Sequence, residues 1–223
     1  MIRAIIFDFD GTLADTIDAL REAINMTMRQ HGYPERSADE VRSFINHGAR
    51  DLVRRALPTT LQDDETLLDG VLADYLENYR AVYLHTDRAY EGIPELISEL
   101  RERGLRIAVL SNKPHLYMEG LCAQILPAGA CDAVQGMILG KPSKPDPYLC
   151  HLVADKLGIS PEECVMVGDS DVDIRTAKNA GMVPVSVSWG YRDKAFLRAN
   201  GAEHIAATPN ELRKILLDLI NTP

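Results

Sequence analysis

The sequence predicts an α/β protein with a doubly wound parallel sheet and a small all-helical domain inserted after the first strand. Three observations support this fold. An apolar run rich in Ile and Phe stands at residues 5–7, and no convincing strand follows from residue 15 to about residue 83. From residue 89 onward strand-like and helix-like segments alternate, which is typical of a doubly wound parallel sheet. We therefore expect residues 1–14 and 85–223 to form the core and residues 15–84 the inserted helical domain.

The first element is a buried parallel strand, because its residues are continuously apolar. Helical spacing of apolar residues then indicates a helix over residues 16–31. Ser37 and Glu40 have the spacing of a capping box, which predicts the start of a short helix. Gly48 opens another helix, and a longer one follows over residues 63–83. The short connections indicate antiparallel packing of these helices.

Hydrophobic periodicity and Gly or Pro breakers define the remaining elements. In chain order they are predicted as helix 94–103, strand 105–110, helix 114–125, a peripheral strand 133–138, helix 147–157, strand 164–167, helix 172–180, strand 183–187, helix 194–199, a short strand at residue 205 and helix 209–220.

Composition limits the classes of partner. The formal net charge of −9 and the pI near 5.1 argue against general binding of nucleic acid. No apolar run is long enough to cross a bilayer and the chain begins directly with a strand, so we expect a cytoplasmic protein without a membrane partner. The four cysteines lack metal-like spacing, which indicates free thiols. A monomer or a homodimer is expected.

Polar residues follow four of the predicted strands or their loops. Asp8 and Asp10 follow the first strand, Ser111 follows the second, Lys144 lies in a Lys-Pro-x-Pro loop, and residues 168–173 read Gly-Asp-Ser-Asp-Val-Asp. The carboxyl ends of parallel strands form one edge of a sheet, where ligands bind. Several acids, one hydroxyl and one lysine at such an edge suit an Mg²⁺ ion and a phosphoryl group.

These residues resemble the four motifs of the haloacid dehalogenase superfamily of phosphatases, whose core is Rossmann-like and whose smaller cap type is a helical insertion. The motifs occur in the family's order and span most of the chain. They are matched by Asp8-Phe9-Asp10-Gly11-Thr12, Ser111, Lys144, and Gly168-Asp169 through Asp173.

The resemblance implies a role for each matching residue. Asp8 would be the nucleophile and form an aspartyl phosphate, and Asp10 would protonate the leaving alcohol and later accept a proton from water. The expected catalytic residues are Asp8, Asp10, Ser111 and Lys144. The expected Mg²⁺ ligands are Asp8, Asp10 (through its backbone carbonyl), Asp169 and Asp173. The expected substrate-binding residues of the core are Gly11, Thr12, Ser111, Asn112 and Lys144, and Ser111 together with backbone N–H groups near Gly11 and Asn112 would hold the phosphoryl oxygens.

Three of these positions have structural alternatives. Ser111 could cap the helix that follows it, and Asp173 could cap a helix as well as bind Mg²⁺ through water or orient Lys144. Lys141 competes with Lys144, but the Lys-Pro-x-Pro spacing selects Lys144 and makes Lys141 a solvated charge.

The helical insertion offers one candidate for substrate recognition. Gly48 at a helix start would let backbone amides approach an anion, and Arg50 would clamp a carboxylate. Arg50 on the solvated face of its helix is an equal alternative. This stretch and residues 90–93 resemble the phosphoglycolate phosphatase branch of the family.

The sequence therefore predicts an Mg²⁺-dependent phosphomonoester hydrolase for a small anionic metabolite, with 2-phosphoglycolate as the first candidate. A phosphotransferase like β-phosphoglucomutase and a pyrophosphatase of the same superfamily are alternatives. A dehalogenase is disfavoured because carbon–halogen chemistry does not need the acid at Asp10. A non-enzymatic binding protein is disfavoured because the acid set is complete.

Overall fold

The computed structural model describes residues 1–86 and 88–221, without the side chains of residues 85 and 86. The chain divides into two compact units. The core unit comprises Met1–Asp15 and Ala89–Pro223, and the helical unit comprises Thr16–Arg88. The sequence analysis places the corresponding boundaries at residues 14/15 and 84/85, one and four residues earlier.

Apart from the two-residue strands β2 and β3, which were not predicted, the strands and helices of the described residues fall close to the predicted segments. The strands are β1 (Ala4–Phe7), β2 (Ala14–Asp15), β3 (Arg88–Ala89), β4 (Arg106–Pro114), β5 (Ala133–Met137), β6 (Cys164–Gly168), β7 (Val183–Val187) and β8 (His204–Ala206). The helices are α1 (Ile17–Gln30), α2 (Ala38–Phe44), α3 (Ala49–Ala56), α4 (Glu65–Thr86), α5 (Ile93–Glu102), α6 (His115–Ile125), α7 (Tyr148–Leu157), α8 (Asp171–Ala180), α9 (Lys194–Ala199) and α10 (Pro209–Asn221).

The core unit contains a six-stranded sheet with the order β5-β4-β1-β6-β7-β8, and every adjacent pair is parallel. The predicted doubly wound parallel sheet is confirmed. β1 lies between β4 and β6, so Phe7 is paired with Val109 on one side and with Val167 on the other. The ends of these three strands are consequently neighbours, and they supply most of the candidate site.

Burial explains why β1 is continuously apolar. All four of its residues are fully buried, as are residues 107–109 of β4 and the paired residues of β6, whereas Arg106 at the start of β4 is exposed. A sheet covered by helices on both faces has no solvent-facing side, so alternation of polar and apolar residues is absent. Ala4 and Ile6 pack with Leu149, Val153 and other apolar side chains of α7 on one face of the sheet.

β4 is longer than predicted. The sequence analysis ends this strand at residue 110, whereas the strand continues to Pro114 with a shift of register against β5 between Leu110 and Pro114. The shift takes residues 111–113 out of the regular pairing while they remain buried. A polar stretch does not show the apolar periodicity of a strand, which is why its last residues were not predicted.

In the helical unit, α1 and α4 lie side by side, and Asn78 of α4 donates hydrogen bonds to Thr27 and Gln30 of α1. The capping box predicted for α2 is present, with Ser37 accepting from the Glu40 N–H and Glu40 accepting from the Ser37 N–H. The sequence analysis found no convincing strand from residue 15 to about residue 83, whereas Ala14–Asp15, at the junction of the two units, forms β2, which pairs with β3. A two-residue strand has no periodicity to detect.

Among the described residues, no helix combines the length and the apolar character needed to span a membrane.

Candidate active site

The candidate site lies in the core unit, where β1, β4 and β6 end. Asp8 follows β1 directly, Ser111 lies in β4 beyond its regular pairing with β5, and Asp169 follows β6. Lys144 reaches the same place from the loop between β5 and α7. The sheet order therefore assembles residues that are up to 161 positions apart in the chain.

Lys144 joins two of the acids. Its Nζ lies 2.8 Å from Asp8 Oδ1 and 2.7 Å from Asp173 Oδ1, and all three side chains are almost fully buried. Burial alone would lower the pKa of Lys144, but the negative charges of Asp173 and Asp8 outweigh it and raise this pKa. Lys144 therefore stays a cation within the acid cluster.

The pKa of the Asp8 carboxyl is subject to effects of opposite direction. Burial is the largest and raises the pKa of its carboxyl, and the charge of Asp173 acts in the same direction, whereas the Lys144 ammonium lowers it. Asp8 Oδ1 also accepts a hydrogen bond of 2.7 Å from the Phe9 N–H. With Oδ1 engaged by both donors, Oδ2 is the oxygen that remains for chemistry.

Asp173 is held by the first turn of α8. Ser170 is the N-cap of this helix, and the two residues form a capping box in which the Ser170 hydroxyl and N–H both donate to Asp173 Oδ2. A Cβ at Gly168 would overlap the Asp173 side chain, so the glycine gives Asp173 its space. The two readings of Asp173 in the sequence analysis are thus compatible, because it caps α8 with Oδ2 and contacts Lys144 with Oδ1.

Asp169 has one partnered and one unpartnered oxygen. Its Oδ2 accepts a hydrogen bond of 2.6 Å from the Tyr191 N–H. Its Oδ1 is buried and has no hydrogen-bond partner among the described residues. Burial and the charge of Asp173 raise the pKa of Asp169 to about 7. An unpaired carboxylate oxygen is costly to bury, which indicates that the side chain is arranged for a ligand.

The three acids fit a metal ion. Ligand atoms of Asp8, Asp169 and Asp173 lie within 4.8 Å of one another, and all three side chains are buried. Buried carboxylates at this spacing repel each other, and oxygen donors of this kind suit a hard divalent cation. The site can hold a metal ion, and Asp169 Oδ1, a buried oxygen without a hydrogen-bond partner among the described residues, is available as a metal ligand.

The carboxyl of Asp10 forms an ion pair with Lys113, whereas Lys144 contacts Asp8 and Asp173. Its Oδ1 lies 3.1 Å from Nζ of Lys113, and the two side chains are 13% and 3% exposed. Lys113 was not among the residues predicted for the site. The signal was present, because residues two apart on a strand share a face and Lys113 stands two positions after Ser111. Ser111 Oγ accepts a hydrogen bond from the Lys113 N–H, so the two residues are also linked locally.

Asn112 is oriented toward Lys144. Its Nδ2 donates to the Lys144 carbonyl at 3.0 Å, and its Oδ1 accepts from the Lys144 N–H at 2.9 Å. The side chain therefore holds the backbone of Lys144. The predicted contact of the Asn112 N–H with a phosphoryl oxygen is a separate matter and stays a prediction.

Gly11 leaves room for the Asp169 and Tyr191 side chains, and its N–H is already hydrogen-bonded within the loop. Its N–H donates to the Ala14 carbonyl at 2.9 Å, so a hydrogen bond from it to a phosphoryl group, as predicted, would require this turn to open. Its φ is +76°, and a Cβ would collide with Asp169 and Tyr191. Only glycine combines this backbone conformation with this close approach.

Thr12 is fully buried, and its role in substrate binding stays a prediction. Its N–H contacts the Phe9 carbonyl at 3.3 Å, and its carbonyl accepts from Trp189 Nε1 at 3.2 Å. Its Oγ1 is buried without a hydrogen-bond partner among the described residues. The loop that contains Trp189 also contains Gly190, which packs against Gly11 and Asp169 so closely that a side chain there would overlap both. Trp189 through Tyr191 are thus site-shaping residues that the sequence analysis did not identify.

The helical unit contains two residues predicted to bind substrate, Gly48 and Arg50. Gly48 is the N-cap of α3 with a φ of +85°, as a glycine at that position allows. Arg50 contacts Asp69 Oδ1 at 2.5 Å and Glu65 Oε2 at 2.6 Å, and its side chain is 43% exposed. Both ends of the guanidinium thus engage carboxylates of the same unit, which favours the solvated-face alternative. The carboxylate clamp stays a prediction.

A family model described as haloacid dehalogenase-like hydrolase matches residues 2–181. The chain belongs to this family of hydrolases, which confirms the resemblance stated on its four motifs and the expectation of an enzyme.

Two relatives and one solved structure are similar to this chain over most of its length. A Rhodobacter capsulatus protein named phosphoglycolate phosphatase is 35% identical over 197 residues, covering 86% of this chain and 87% of the relative. A Vibrio vulnificus protein of the same name is 30% identical, covering 97% and 96%. A solved structure from Lactobacillus delbrueckii subsp. bulgaricus has a TM-score of 0.89, with 29% identity and coverage of 96% of this chain and 98% of the other.

Proposed function

We propose that this chain is an Mg²⁺-dependent phosphomonoester hydrolase that works through an aspartyl phosphate at Asp8. The observation that carries the proposal is the buried arrangement in which the Lys144 ammonium joins Asp8 and Asp173 at 2.8 and 2.7 Å, with Asp169 beside them. This set combines a positioned carboxylate nucleophile with cationic support for a phosphoryl group.

Asp8 supplies the nucleophile. Its Oδ2 attacks phosphorus, the bond from phosphorus to the ester oxygen breaks, and the leaving alcohol receives a proton from Asp10. In the second step a water molecule gives a proton to Asp10 and attacks phosphorus. The Asp8–phosphorus bond then breaks, which releases phosphate and restores the Asp8 carboxylate. The Lys144 ammonium stabilises the negative charge of the Asp8 carboxylate before the attack and after its release.

Mg²⁺ fits the acids that the core brings together. Asp8, Asp169 and the backbone carbonyl of Asp10 would hold the ion, and Asp173 would support it directly or through water. When bound, the ion supplies positive charge that offsets the crowded carboxylates and the negative phosphoryl oxygens.

Ser111 would bind the phosphoryl group. Its Oγ accepts from the Lys113 N–H, which leaves the hydroxyl proton for a phosphoryl oxygen. Its side chain is buried at the end of β4, where a phosphoryl group on Asp8 would be close. We assign the alternative role of Ser111 as a helix cap less weight, because α6 has Pro114 at its N-cap position.

The proposed substrate is 2-phosphoglycolate. Support comes from the relatives from Rhodobacter capsulatus and Vibrio vulnificus, both named phosphoglycolate phosphatase and both matched over most of their length.

The reaction class is tested by phosphate release from 2-phosphoglycolate, β-glucose 1-phosphate, p-nitrophenyl phosphate and pyrophosphate, with Mg²⁺ and with a chelator. We expect release from 2-phosphoglycolate in Mg²⁺ and none in the chelator. Release from pyrophosphate alone would contradict the monoester assignment. Conversion of β-glucose 1-phosphate to an isomer without phosphate release would contradict hydrolysis.

The nucleophile is tested separately with Asp8→Asn. We expect turnover to fall by at least about 10³-fold while the fold is retained, because an amide cannot attack phosphorus. In the wild type, an acid quench followed by borohydride should convert residue 8 to homoserine during turnover, detected by mass spectrometry of the peptide. Native-rate hydrolysis by the variant would show that another group attacks phosphorus.

A further inference from the structure

The core contains a second buried ammonium, Lys113, in addition to Lys144. We propose that Lys113 binds a carboxylate on the leaving group of the substrate, so that the core unit itself selects carboxylated phosphate monoesters. This inference rests on the proposed function and deepens it. Its basis is that Lys113 Nζ lies 3.1 Å from Asp10 Oδ1 with only 3% of its side chain exposed.

The position of Lys113 is determined by β4 and its neighbours. The register shift after Leu110 releases residues 111–113 from regular pairing with β5, and the Lys113 N–H then donates to Ser111 Oγ at 3.1 Å. On the other side Gly136 of β5 packs against the Lys113 carbonyl, where a Cβ would come within 2.6 Å of that oxygen. The backbone that carries the ammonium is therefore held on both sides.

Proximity to Asp10 places the ammonium beside the leaving group. In the proposed reaction Asp10 gives its proton to the ester oxygen, so this oxygen must come within a hydrogen bond of the Asp10 carboxyl. Lys113 contacts the same carboxyl. An ammonium at this place faces the bridging oxygen and the first atoms beyond it.

A carboxylate on the next carbon fits that place. In an ester of the type phosphate–O–CH₂–CO₂⁻, the carboxylate carbon is two bonds from the bridging oxygen, roughly 2.5 Å away. Its oxygens therefore fall within reach of a cation that contacts Asp10. A desolvated ammonium forms short, strong hydrogen bonds with carboxylates, because the hydrogen bond is charge-assisted.

An uncharged leaving group gains nothing from this arrangement. It leaves Lys113 paired with Asp10 and adds no attractive partner, while a carboxylate adds one. The expected selectivity for the carboxylated ester is about 10- to 100-fold, as for a hydrogen bond to a charged group.

The test compares 2-phosphoglycolate with ethyl phosphate, which keeps the two-carbon chain and lacks the carboxylate. The full chain is assayed with Mg²⁺ as wild type, Lys113→Met, Lys113→Arg and Lys141→Met. The last variant is the matched control, because Lys141 is an exposed lysine of the loop that leads to Lys144.

We expect Lys113→Met to lower kcat/KM for 2-phosphoglycolate about 10- to 100-fold more than for ethyl phosphate, mainly through a higher KM. Lys113→Arg, which keeps the charge, should retain most of the preference, and Lys141→Met should leave the ratio unchanged.

The competing role for Lys113 is to position Asp10 alone. Both alkyl esters would then lose kcat by the same factor, and p-nitrophenyl phosphate would lose less because its leaving group needs little protonation. That pattern overturns the proposal. Thermal unfolding reports whether Lys113→Met folds, and Lys113→Gln is the substitute if it does not.

The wild type provides a test that needs no variant. A ratio of kcat/KM near one for the two esters overturns the selectivity, whereas a preference of about tenfold or more for 2-phosphoglycolate supports it. Absence of phosphate release from any ester would contradict the proposed function itself, which separates its failure from that of the inference.

Discussion

The side chain of Asn112 forms two hydrogen bonds with the backbone of Lys144, one as donor and one as acceptor. It thereby holds the lysine that joins Asp8 and Asp173. Because Asn112 is buried, removal of its amide leaves the Lys144 N–H and carbonyl without these partners. Buried backbone groups that lose their partners are costly.

We predict that Asn112→Ala lowers the free energy of unfolding by about 1–3 kcal/mol and lowers kcat for 2-phosphoglycolate. The reason is that Lys144 loses its backbone restraint. Denaturant unfolding and steady-state kinetics measure the two effects. Asn179→Ala is the matched control, because Asn179 donates a hydrogen bond to the Pro145 carbonyl, next to Lys144, from an exposed position. We expect little change in either quantity for the control, and an equal effect of the two substitutions would contradict the role of Asn112.

Helix α8 links secondary structure to the site. Its capping box uses Asp173 at the third helical position in place of the more usual Glu, and the same carboxylate contacts Lys144 with its other oxygen. One side chain therefore both starts the helix and positions the lysine. A substitution of the cap residue should affect stability and the site together.

We predict that Ser170→Ala lowers the free energy of unfolding by about 1 kcal/mol and also weakens turnover, since the Asp173 carboxylate loses the hydrogen bond from the Ser170 hydroxyl and the Asp173 N–H loses Ser170 Oγ as its acceptor. The control is Ser37→Ala, which removes the capping box of α2 in the helical unit. It should cost a similar amount of stability without a change in kcat. Chemical denaturation and kinetics with 2-phosphoglycolate measure both variants, and unchanged kcat in Ser170→Ala would contradict the positioning role.

Most strands and helices of the core could be predicted from the sequence, because each combines an apolar run or stripe with a Gly or Pro breaker. The strand Val183–Val187 and the helix Lys194–Ala199 have the predicted bounds. The end of β4 could not be predicted, because residues 111–113 are buried by contacts with Lys144 and Gly136 that come from distant parts of the chain. The pairing of β2 with β3 joins two-residue strands and likewise has no local signal.

The whole molecule carries a net charge of −9, and several of its acids are concentrated and buried in the core unit. Burial raises the pKa of Asp169 to about 7 and also raises that of Asp8. A carboxyl whose pKa is higher in the folded than in the unfolded state binds a proton on folding. Its contribution to stability is therefore present at low pH and is lost as the pH rises through the folded pKa.

We predict that, in a chelator, the protein is more stable at pH 5 than at pH 8, by on the order of 3 kcal/mol from Asp169 alone. Carboxyls whose pKa is lowered, such as Glu99 at about 2, are ionised throughout this window and do not oppose the trend. Thermal unfolding in matched ionic strength measures it. Asp169→Asn should flatten the dependence, and an equally steep slope in this variant would assign the effect to other groups.

We predict the opposite trend for the metal. Mg²⁺ should raise the unfolding temperature more at pH 8 than at pH 5, because it binds the ionised carboxylates, and at 100 times its Kd it should add about 2.7 kcal/mol. Asp169→Asn should reduce this gain. Unfolding temperatures that do not respond to Mg²⁺ at pH 8, together with turnover that persists in a chelator, would contradict the metal site.

The fold class, the family and the residues Asp8, Ser111, Lys144 and Asp169 of the candidate site could be predicted from the sequence alone. These are visible locally, because a buried strand is apolar and a polar residue at its end is conspicuous. Most of the side-chain contacts that shape the site, in contrast, depend on the tertiary structure. Lys113 with Asp10, Asn112 with the Lys144 backbone, and Tyr191 with Asp169 are pairs from different elements. Such contacts depend on sheet order, register and loop packing, and a single strand or helix contains no record of them.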